Sequence, residues 1–345
     1  MINVKISMSG QPNDLNIQQF VGNNDNVIEN TKFHLNSTLK EADYWFVIEG
    51  LNTSDETCVV DPKKIIYLNF ETSYPKDYFL NNYIKSYMKQ FYLKYGSYNF
   101  YDDAYIFDTP FVPWLINSKN NQSIFDEHKR DINYFKNLNY LQKNKMMSVI
   151  CSTKKITDNH KARLNFVYKL KEHFGDNLDW YGEGVEEINS KWAGISDYKY
   201  HIALENDSRN NLVSEKIYDS FLGLSMPFYY GAVNISEYFP DDSYVNIDIM
   251  DLKKSIDVIE KNITENTYEN NLEKIVDAKN LVLTKYNLFY RIFNIIKNLE
   301  EQGDKKSSES VTLYNVQHFW KTEVNYKNKI KHYVKRKFRI NVNNY

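Results

Sequence analysis

Short apolar runs dominate the first part of the chain. Residues 2–8 (INVKISM) alternate and 44–48 (YWFVI) are continuously apolar, with similar runs at 64–70 (KIIYLNF) and 103–107 (DAYIF). Runs of about four to eight β-branched and aromatic residues, separated by longer polar stretches, predict parallel strands with helices between them. The stretches 76–94 and 121–140 are predicted helical. A second cycle begins near 145, with strands expected at 146–151 (MMSVIC), 178–181 (LDWY), 198–204 (YKYHIAL), 226–231 (MPFYYG) and 243–248 (SYVNID). Between them, Leu164, Val167, Tyr168, Leu170 and Phe174 mark one face of a helix over 160–174. Val213, Ile217, Phe221 and Leu224 do the same over 212–224. Helical patterns follow at 251–262 and 270–299, then a polar break at 301–309. Strand–helix alternation in both halves predicts two α/β domains.

Composition changes this picture little. The 345 residues carry 43 Lys and Arg against 45 Asp and Glu, a net charge of −2, which excludes a nucleic-acid binder acting through bulk positive charge. There are 43 Asn, and Lys outnumbers Arg 37 to 6. This bias follows A/T-rich codons, and it makes the few arginines informative. Cys58 and Cys151 lie far apart and outside any metal-binding spacing, so free buried thiols in a reducing cytoplasm are expected. The N-terminus has neither the basic nor the apolar stretch of a signal peptide, and no apolar run is long enough to span a membrane.

The most informative stretch is 198–231, YKYHIALENDSRNNLVSEKIYDSFLGLSMPFYYG. A strand ends at Leu204, a polar loop follows, and a helix opens near Val213, with Asn210 or Asn211 placed to cap it. Ser214, Glu215 and Lys216 then fall in or near the first turn. Free N–H groups, the helix dipole and a lysine make such a terminus an anion site. A Ser-Glu-Lys first turn is also ordinary helix chemistry, so spacing alone leaves both readings open.

At these residues the chain resembles glycosyltransferase family 10, the α-1,3-fucosyltransferases. That family has a strand ending in Glu-Asn, a Glu-Lys nine residues after the Asn, and then an aliphatic-Pro-hydrophobic strand ending in Gly. Here Glu205-Asn206, Glu215-Lys216 and Met226–Gly231 follow the pattern. The family's Tyr and Thr before Glu-Lys are Leu212 and Ser214 here. The likeness is close over 198–248 and weaker over 145–250. It further implies that Arg163 contacts the donor diphosphate. The segment IIYLNFETSYP resembles the family's Asn-Phe-Glu-Ser-Pro string, which puts Glu71 on the acidic residue proposed there as general base.

The resemblance implies a GT-B fold: two Rossmann-like domains facing a cleft. The expected division is an acceptor domain at 1–143, a donor domain at 144–300, and a linker and basic tail at 301–345. It implies an inverting transfer of L-fucose from GDP-fucose to an acceptor glycan hydroxyl in α-1,3 linkage, for example on GlcNAc or Glc of an oligosaccharide or lipopolysaccharide O-antigen. In this scheme Glu71 is the base and Glu215 contacts ribose or the developing oxocarbenium ion. Arg163, Asn206, Ser214 and Lys216 complete the donor site. No cofactor is permanently bound in this scheme. No Asp-x-Asp pair is present, so cationic side chains rather than a metal are expected at the leaving group. Another GDP-sugar is the first alternative, because of Leu212; a non-catalytic glycan- or nucleotide-binding protein is the second. From Val324 onward there is no acidic residue, and 327–339 hold seven basic residues among apolar ones at helical spacing. That pattern suggests contact with an anionic membrane surface, in a bacterial or viral type of enzyme without a transmembrane anchor. The expected location is cytoplasmic, peripheral on the inner face of the membrane.

Overall fold

The structure, a computed structural model, describes residues 1–9, 15–51, 55–72, 74, 78–98, 104–118, 130–301, 307–325 and 327. Its first unit contains β1 (Ile2–Met8), α1 (Ile17–Val21), β2 (Val27–Ile28), β3 (Thr31–Leu35), β4 (Tyr44–Ile48), β5 (Asp55–Val60), β6 (Ile65–Leu68), α2 (Asn82–Met88), β7 (Leu93–Gly96) and β8 (Tyr105–Phe107). After α3 (Ile132–Asn137) comes the second unit. It contains β9 (Lys145–Ile150), α4 (Asp158–Phe174), β10 (Leu178–Tyr181), β11 (Tyr198–Leu204), α5 (Glu215–Leu222), β12 (Met226–Tyr230), β13 (Val245–Asn246), α6 (Leu252–Thr264), α7 (Thr267–Asn270) and α8 (Leu272–Leu283). Helix α9 (Leu288–Glu300) and strand β14 (Glu309–Tyr314) follow, and residues 316–325 are again helical.

Each unit is built on a parallel sheet. The first runs β2-β3-β1-β4-β6-β7-β8, with only β2 antiparallel to its neighbour, and the second runs β10-β9-β11-β12-β13. The all-apolar strands lie in the middle because both of their faces are covered. In β4, Tyr44, Phe46 and Ile48 enter the main core, while Trp45 and Val47 enter a second core on the opposite face. In β6, Ile66 and Leu68 point one way and Ile65 and Tyr67 the other. This is the two-residue period of a strand read out as two hydrophobic layers. Two Rossmann-like units of this kind make the expected GT-B class.

Several boundaries differ from the sequence expectation. The segment expected to be helical over 76–94 is helical at 82–88 and becomes strand β7, because 93–96 is needed between β6 and β8. Residues 121–129 of the helix expected over 121–140 lie outside the described residues; the described part is helical at 132–137, where the Asp131 side chain accepts the Tyr134 N–H as cap. The pattern at 270–299 breaks into α8 and α9 where Asn287 caps the second helix through the N–H groups of Phe289 and Tyr290. The strand expected over 243–248 narrows to two residues. Strands β2, β3, β5 and β14 have too little apolar alternation to be read from the chain alone.

The expected division at 300 also differs from the packing. Phe289 of α9 meets Phe20 and Phe33 with ring centroids 5.6 and 5.4 Å apart. Glu300 accepts hydrogen bonds from the Tyr44 hydroxyl and Lys64, both at 2.6 Å. Strand β14 pairs antiparallel with β5. Residues 288–314 therefore follow the second unit in sequence and pack on the first in space. Arg291 fastens this return: it donates to the Pro110 and Thr109 carbonyls at 2.7 and 3.0 Å, pairs with Asp108 at 3.1 Å and lies 3.5 Å from the Phe111 ring centre. Arg291→Ala should lower unfolding stability by about 3 kcal/mol, because it strands buried carbonyls and removes the stacking. Urea denaturation of the two proteins measures this.

Candidate active site

Parallel-sheet units bind ligands beyond the carboxyl ends of the strands, where the strand order reverses. In the second unit, β9 leads to β10 on one side while β11 leads to β12 on the other, so the reversal lies between β9 and β11. A pocket opens there, lined among others by Cys151, Arg163, Lys191, Leu204, Glu215 and Lys216.

Helix α5 supplies the pocket's charged wall. Its N-cap is Ser214, whose hydroxyl accepts the Lys216 N–H, not Asn210 or Asn211. The helix begins two residues later than expected because Asn211 is used elsewhere. Asn211 sits at φ 63°, and its side chain accepts hydrogen bonds from Asn234 and Tyr238. Ser214 also donates to Glu205, which is fully buried at the end of β11. Lys216 Nζ lies 3.1 Å from Glu205 Oε2 and 3.0 Å from Glu215 Oε1. Burial pushes the Glu205 carboxyl up, against the opposing pull of Lys216. Burial would also raise Glu215, but the Lys216 and Lys191 cations outweigh it and hold Glu215 down at about 2. Lys216 is raised by its two carboxylates in spite of burial.

Two further groups complete this wall. Arg163, on α4, is 7% exposed; one guanidinium nitrogen donates to the Asn206 side chain. Its Nε has no hydrogen-bond partner among the described residues, which leaves a buried donor beside the pocket. Lys191 is bonded to Asp219 Oδ2 at 3.0 Å, and Asp219 Oδ1 accepts the Leu115 N–H at 2.8 Å. Burial raises Asp219 to about 6, against Lys191. Three cations and three carboxylates thus share one strand edge. The arrangement can hold an anion of two or more phosphate oxygens on Arg163 and Lys216, beside the positive end of the α5 dipole. Among the described residues, no three His, Cys, Asp or Glu side chains are grouped to hold a metal ion, and no helix is long and apolar enough to cross a membrane. Both cysteines are free and buried.

Arg163, Asn206, Ser214, Glu215 and Lys216 therefore form one cluster, while Glu71 stands apart from it. Glu71 is exposed, in the loop after β6, and does not line the pocket. Its Oε1 accepts the Thr72 N–H at 2.8 Å. Beneath it, Glu49 Oε2 accepts the N–H groups of Phe70 and Glu71 at 3.1 and 3.0 Å. Asn69, fully buried, donates to the Glu71 carbonyl at 3.1 Å. Glu49 holds φ 63°, an unfavourable backbone state for glutamate. Sequence reasoning missed Glu49, although a carboxylate directly after the apolar run YWFVI was a usable signal. It also missed Lys191, Asp219 and Arg209, whose partners all lie far away in sequence.

The cluster falls within a stretch that resembles a known family. Residues 140–274 match the model of the glycosyltransferase family 10 (fucosyltransferase) C-terminal domain. Over 73 residues the chain is 30% identical to an α-(1,3)-fucosyltransferase of Helicobacter pylori, a stretch covering 21% of this chain and 15% of that protein. Over 76 residues it is 33% identical to an α-(1,4)-fucosyltransferase of Arabidopsis thaliana, covering 20% and 19%. The aligned stretches thus span less than a fifth of either relative's length. The chain is also similar to a crystal structure of an α1,3-fucosyltransferase with GDP-fucose, at 16% identity and a TM-score of 0.48, covering 82% of this chain and 90% of that one. A structure of an α1,3-fucosyltransferase with GDP gives 16% and 0.48, covering 83% and 92%.

Burial raises Glu49 to about 7 from 4.5, with the neighbouring Glu71 charge adding to the rise and the two backbone N–H groups opposing it. A carboxyl with a raised folded-state pKa binds its proton more tightly when folded, so its contribution to stability falls as pH rises through this window. Between pH 4.5 and about 7, the wild type should therefore lose about 1–3 kcal/mol of stability relative to Glu49→Gln. Urea midpoints across that range provide the check.

Proposed function

On a chain whose residues 140–274 carry the glycosyltransferase family 10 C-terminal domain, we propose an inverting transfer of L-fucose from GDP-fucose to an acceptor glycan hydroxyl. The observation that carries this reading is the convergence of Arg163 and Lys216 on one pocket at the strand reversal, within the matched domain. Their charges would face the diphosphate. As the bond from the sugar to the diphosphate breaks, negative charge grows on the departing GDP, and cations fixed beforehand by Asn206, Glu205 and Glu215 need not reorganise to meet it. Glu215, held ionised, would face the ribose hydroxyls or the oxocarbenium ion. Glu71, solvated and oriented through its loop, would take the proton of the attacking hydroxyl, whose oxygen then attacks the anomeric carbon from the face opposite GDP. Single displacement inverts that carbon, so a β-linked donor gives an α-linked product; the α-1,3 linkage and its glycan rest on the resemblance.

The donor and base roles separate experimentally. Arg163→Ala should weaken GDP binding by about tenfold or more, measured by calorimetry, since a charge-assisted hydrogen bond is worth about 1.5–3 kcal/mol. Glu71→Gln should leave GDP affinity unchanged and slow fucose transfer by about 10²–10⁴-fold. Unchanged turnover in that variant would remove the base assignment. Transfer from another GDP-sugar in preference to GDP-fucose would replace the donor.

We also propose that the enzyme works at the cytoplasmic face of an anionic membrane, held there by residues 327–339, of which only Lys327 is described. The basic and apolar residues of that segment support this. Full-length protein should co-sediment with vesicles containing anionic lipid, and a chain ending at residue 323 should not.

A further inference from the structure

Arg209 lies in the loop after β11, three residues beyond Asn206, and its side chain leaves its own unit. One guanidinium nitrogen donates to the Ser97 carbonyl at 2.6 Å; the other donates to the Thr72 carbonyl at 3.2 Å and the Ser97 hydroxyl at 3.3 Å. The guanidinium also lies over the Tyr98 ring, 4.1 Å from its centre. Ser97 follows β7, and Thr72 is the residue whose N–H orients the Glu71 carboxylate. Tyr98 closes the same loop from the other side: its hydroxyl donates to the Thr72 carbonyl at 2.8 Å and accepts the Tyr74 N–H at 2.9 Å.

The other end of the Arg209 loop is fixed to the pocket. Asn206 holds Arg163, and Glu205 holds Ser214 and Lys216. A short run of backbone, 205–209, thus joins the groups facing the pocket to the carbonyl next to Glu71. A lysine in place of Arg209 could not make this contact set, because reaching two carbonyls and an aromatic face together needs a planar fork. In a chain where Lys replaces Arg almost everywhere, that geometry explains why an arginine stands here.

We propose that Arg209 is a positioning residue that couples occupancy of the Arg163–Lys216 pocket to the placement of the Glu71 loop. The link itself is independent of the reaction; naming its two ends as donor site and base rests on the function proposed above. An anion that draws on Arg163 and Lys216 also loads their contacts to Asn206 and Glu205, and through them the loop that presents Arg209. Glu49, Asn69 and Tyr98 hold Glu71 and Thr72 from within their own unit, and Arg209 adds, among the described residues, the one contact to Thr72 that comes from the second unit. Coupling of this kind is reciprocal and commonly amounts to about 5–150-fold in affinity.

The test is amide hydrogen exchange on the full chain, with and without GDP, alongside GDP affinity by calorimetry. In the wild type, GDP should slow exchange of the Phe70, Glu71 and Thr72 amides by about fivefold or more. In Arg209→Ala, GDP should still bind, weakened by about the factor of protection that is lost because the coupling is reciprocal, and the protection at 70–72 should disappear. In that variant kcat for transfer should fall by about tenfold or more, with the KM for GDP-fucose rising by no more than the loss of GDP affinity. Arg209→Lys should restore part of both losses, and it provides the readout if the alanine variant does not fold. GDP binding to the wild type without protection at 70–72 overturns the coupling, and so does full protection in Arg209→Ala or Arg209→Lys. Failure of the wild type to bind GDP overturns both the coupling and the donor assignment. Normal turnover by Glu71→Gln with GDP protection intact overturns the base assignment and leaves the coupling standing.

Discussion

A lysine taken out of water must be met by opposite charge. Lys216 has three N–H donors, and the structure places Glu205, Glu215 and Ser214 around them, at 3.1, 3.0 and 3.3 Å. Desolvating an ion costs several kcal/mol even after relaxation, and one removed partner leaves the other charge stranded. The rest of this edge is arranged around that cost. Ser214 caps α5 and also donates to Glu205, so the helix N-terminus and the buried carboxylate are fixed by the same hydroxyl. Only the hydroxyl of Ser214 is used in these contacts. Glu205 in turn anchors the end of β11, from which the whole loop to α5 departs.

Charges held this way form a site that is electrically balanced before any ligand arrives. Lys216 is already shared among protein acceptors, whereas Arg163 has a buried Nε with no partner among the described residues. The two cations therefore differ in kind: one carries charge into the pocket and the other holds open donor capacity. The same economy appears in the contacts between the units. Asp219 joins α5 to the 108–118 segment through Leu115, and Arg291 joins α9 to Pro110. Each uses a buried charged side chain to satisfy backbone groups that a loop passing between two sheets would otherwise leave unpaired.

What could be read from the chain follows the range of the interactions involved. β1, β4, β9, β10, β11 and β12 were legible because their apolar runs, alternating or continuous, are local. The cluster from Glu205 to Lys216 was legible because one strand, one loop and one helix bring it together within a dozen positions. Arg163 needed the resemblance, since nothing near it in sequence distinguishes it from a solvated helix residue. Lys191, Asp219 and Arg209 were illegible for a single reason: their partners are Asp219, Leu115, and Thr72 and Ser97, up to 137 positions away. Glu49 left a signal in its place after YWFVI, but its partners Phe70 and Glu71 are 21 and 22 positions on. Strands β5 and β14 were missed likewise, because Asp55–Val60 and Glu309–Tyr314 are polar enough to read as loops until they pair.

That last pairing bears on how the protein comes to be folded. β5 lies near the start of the chain and its partner near the end, with the complete second sheet between them. Leu313 enters the core that also holds Val60 and Trp45, and α9 covers the face carrying Phe33. During synthesis the first unit therefore emerges early but waits, with an unpaired edge and an uncovered apolar face, until the ribosome has delivered residues 288–314. Contacts so distant in sequence close slowly, and a waiting edge is where strands of other chains attach. Elements translated after the second sheet lock the first unit shut, so a chain broken off at that point has a complete second sheet and an unfinished first unit.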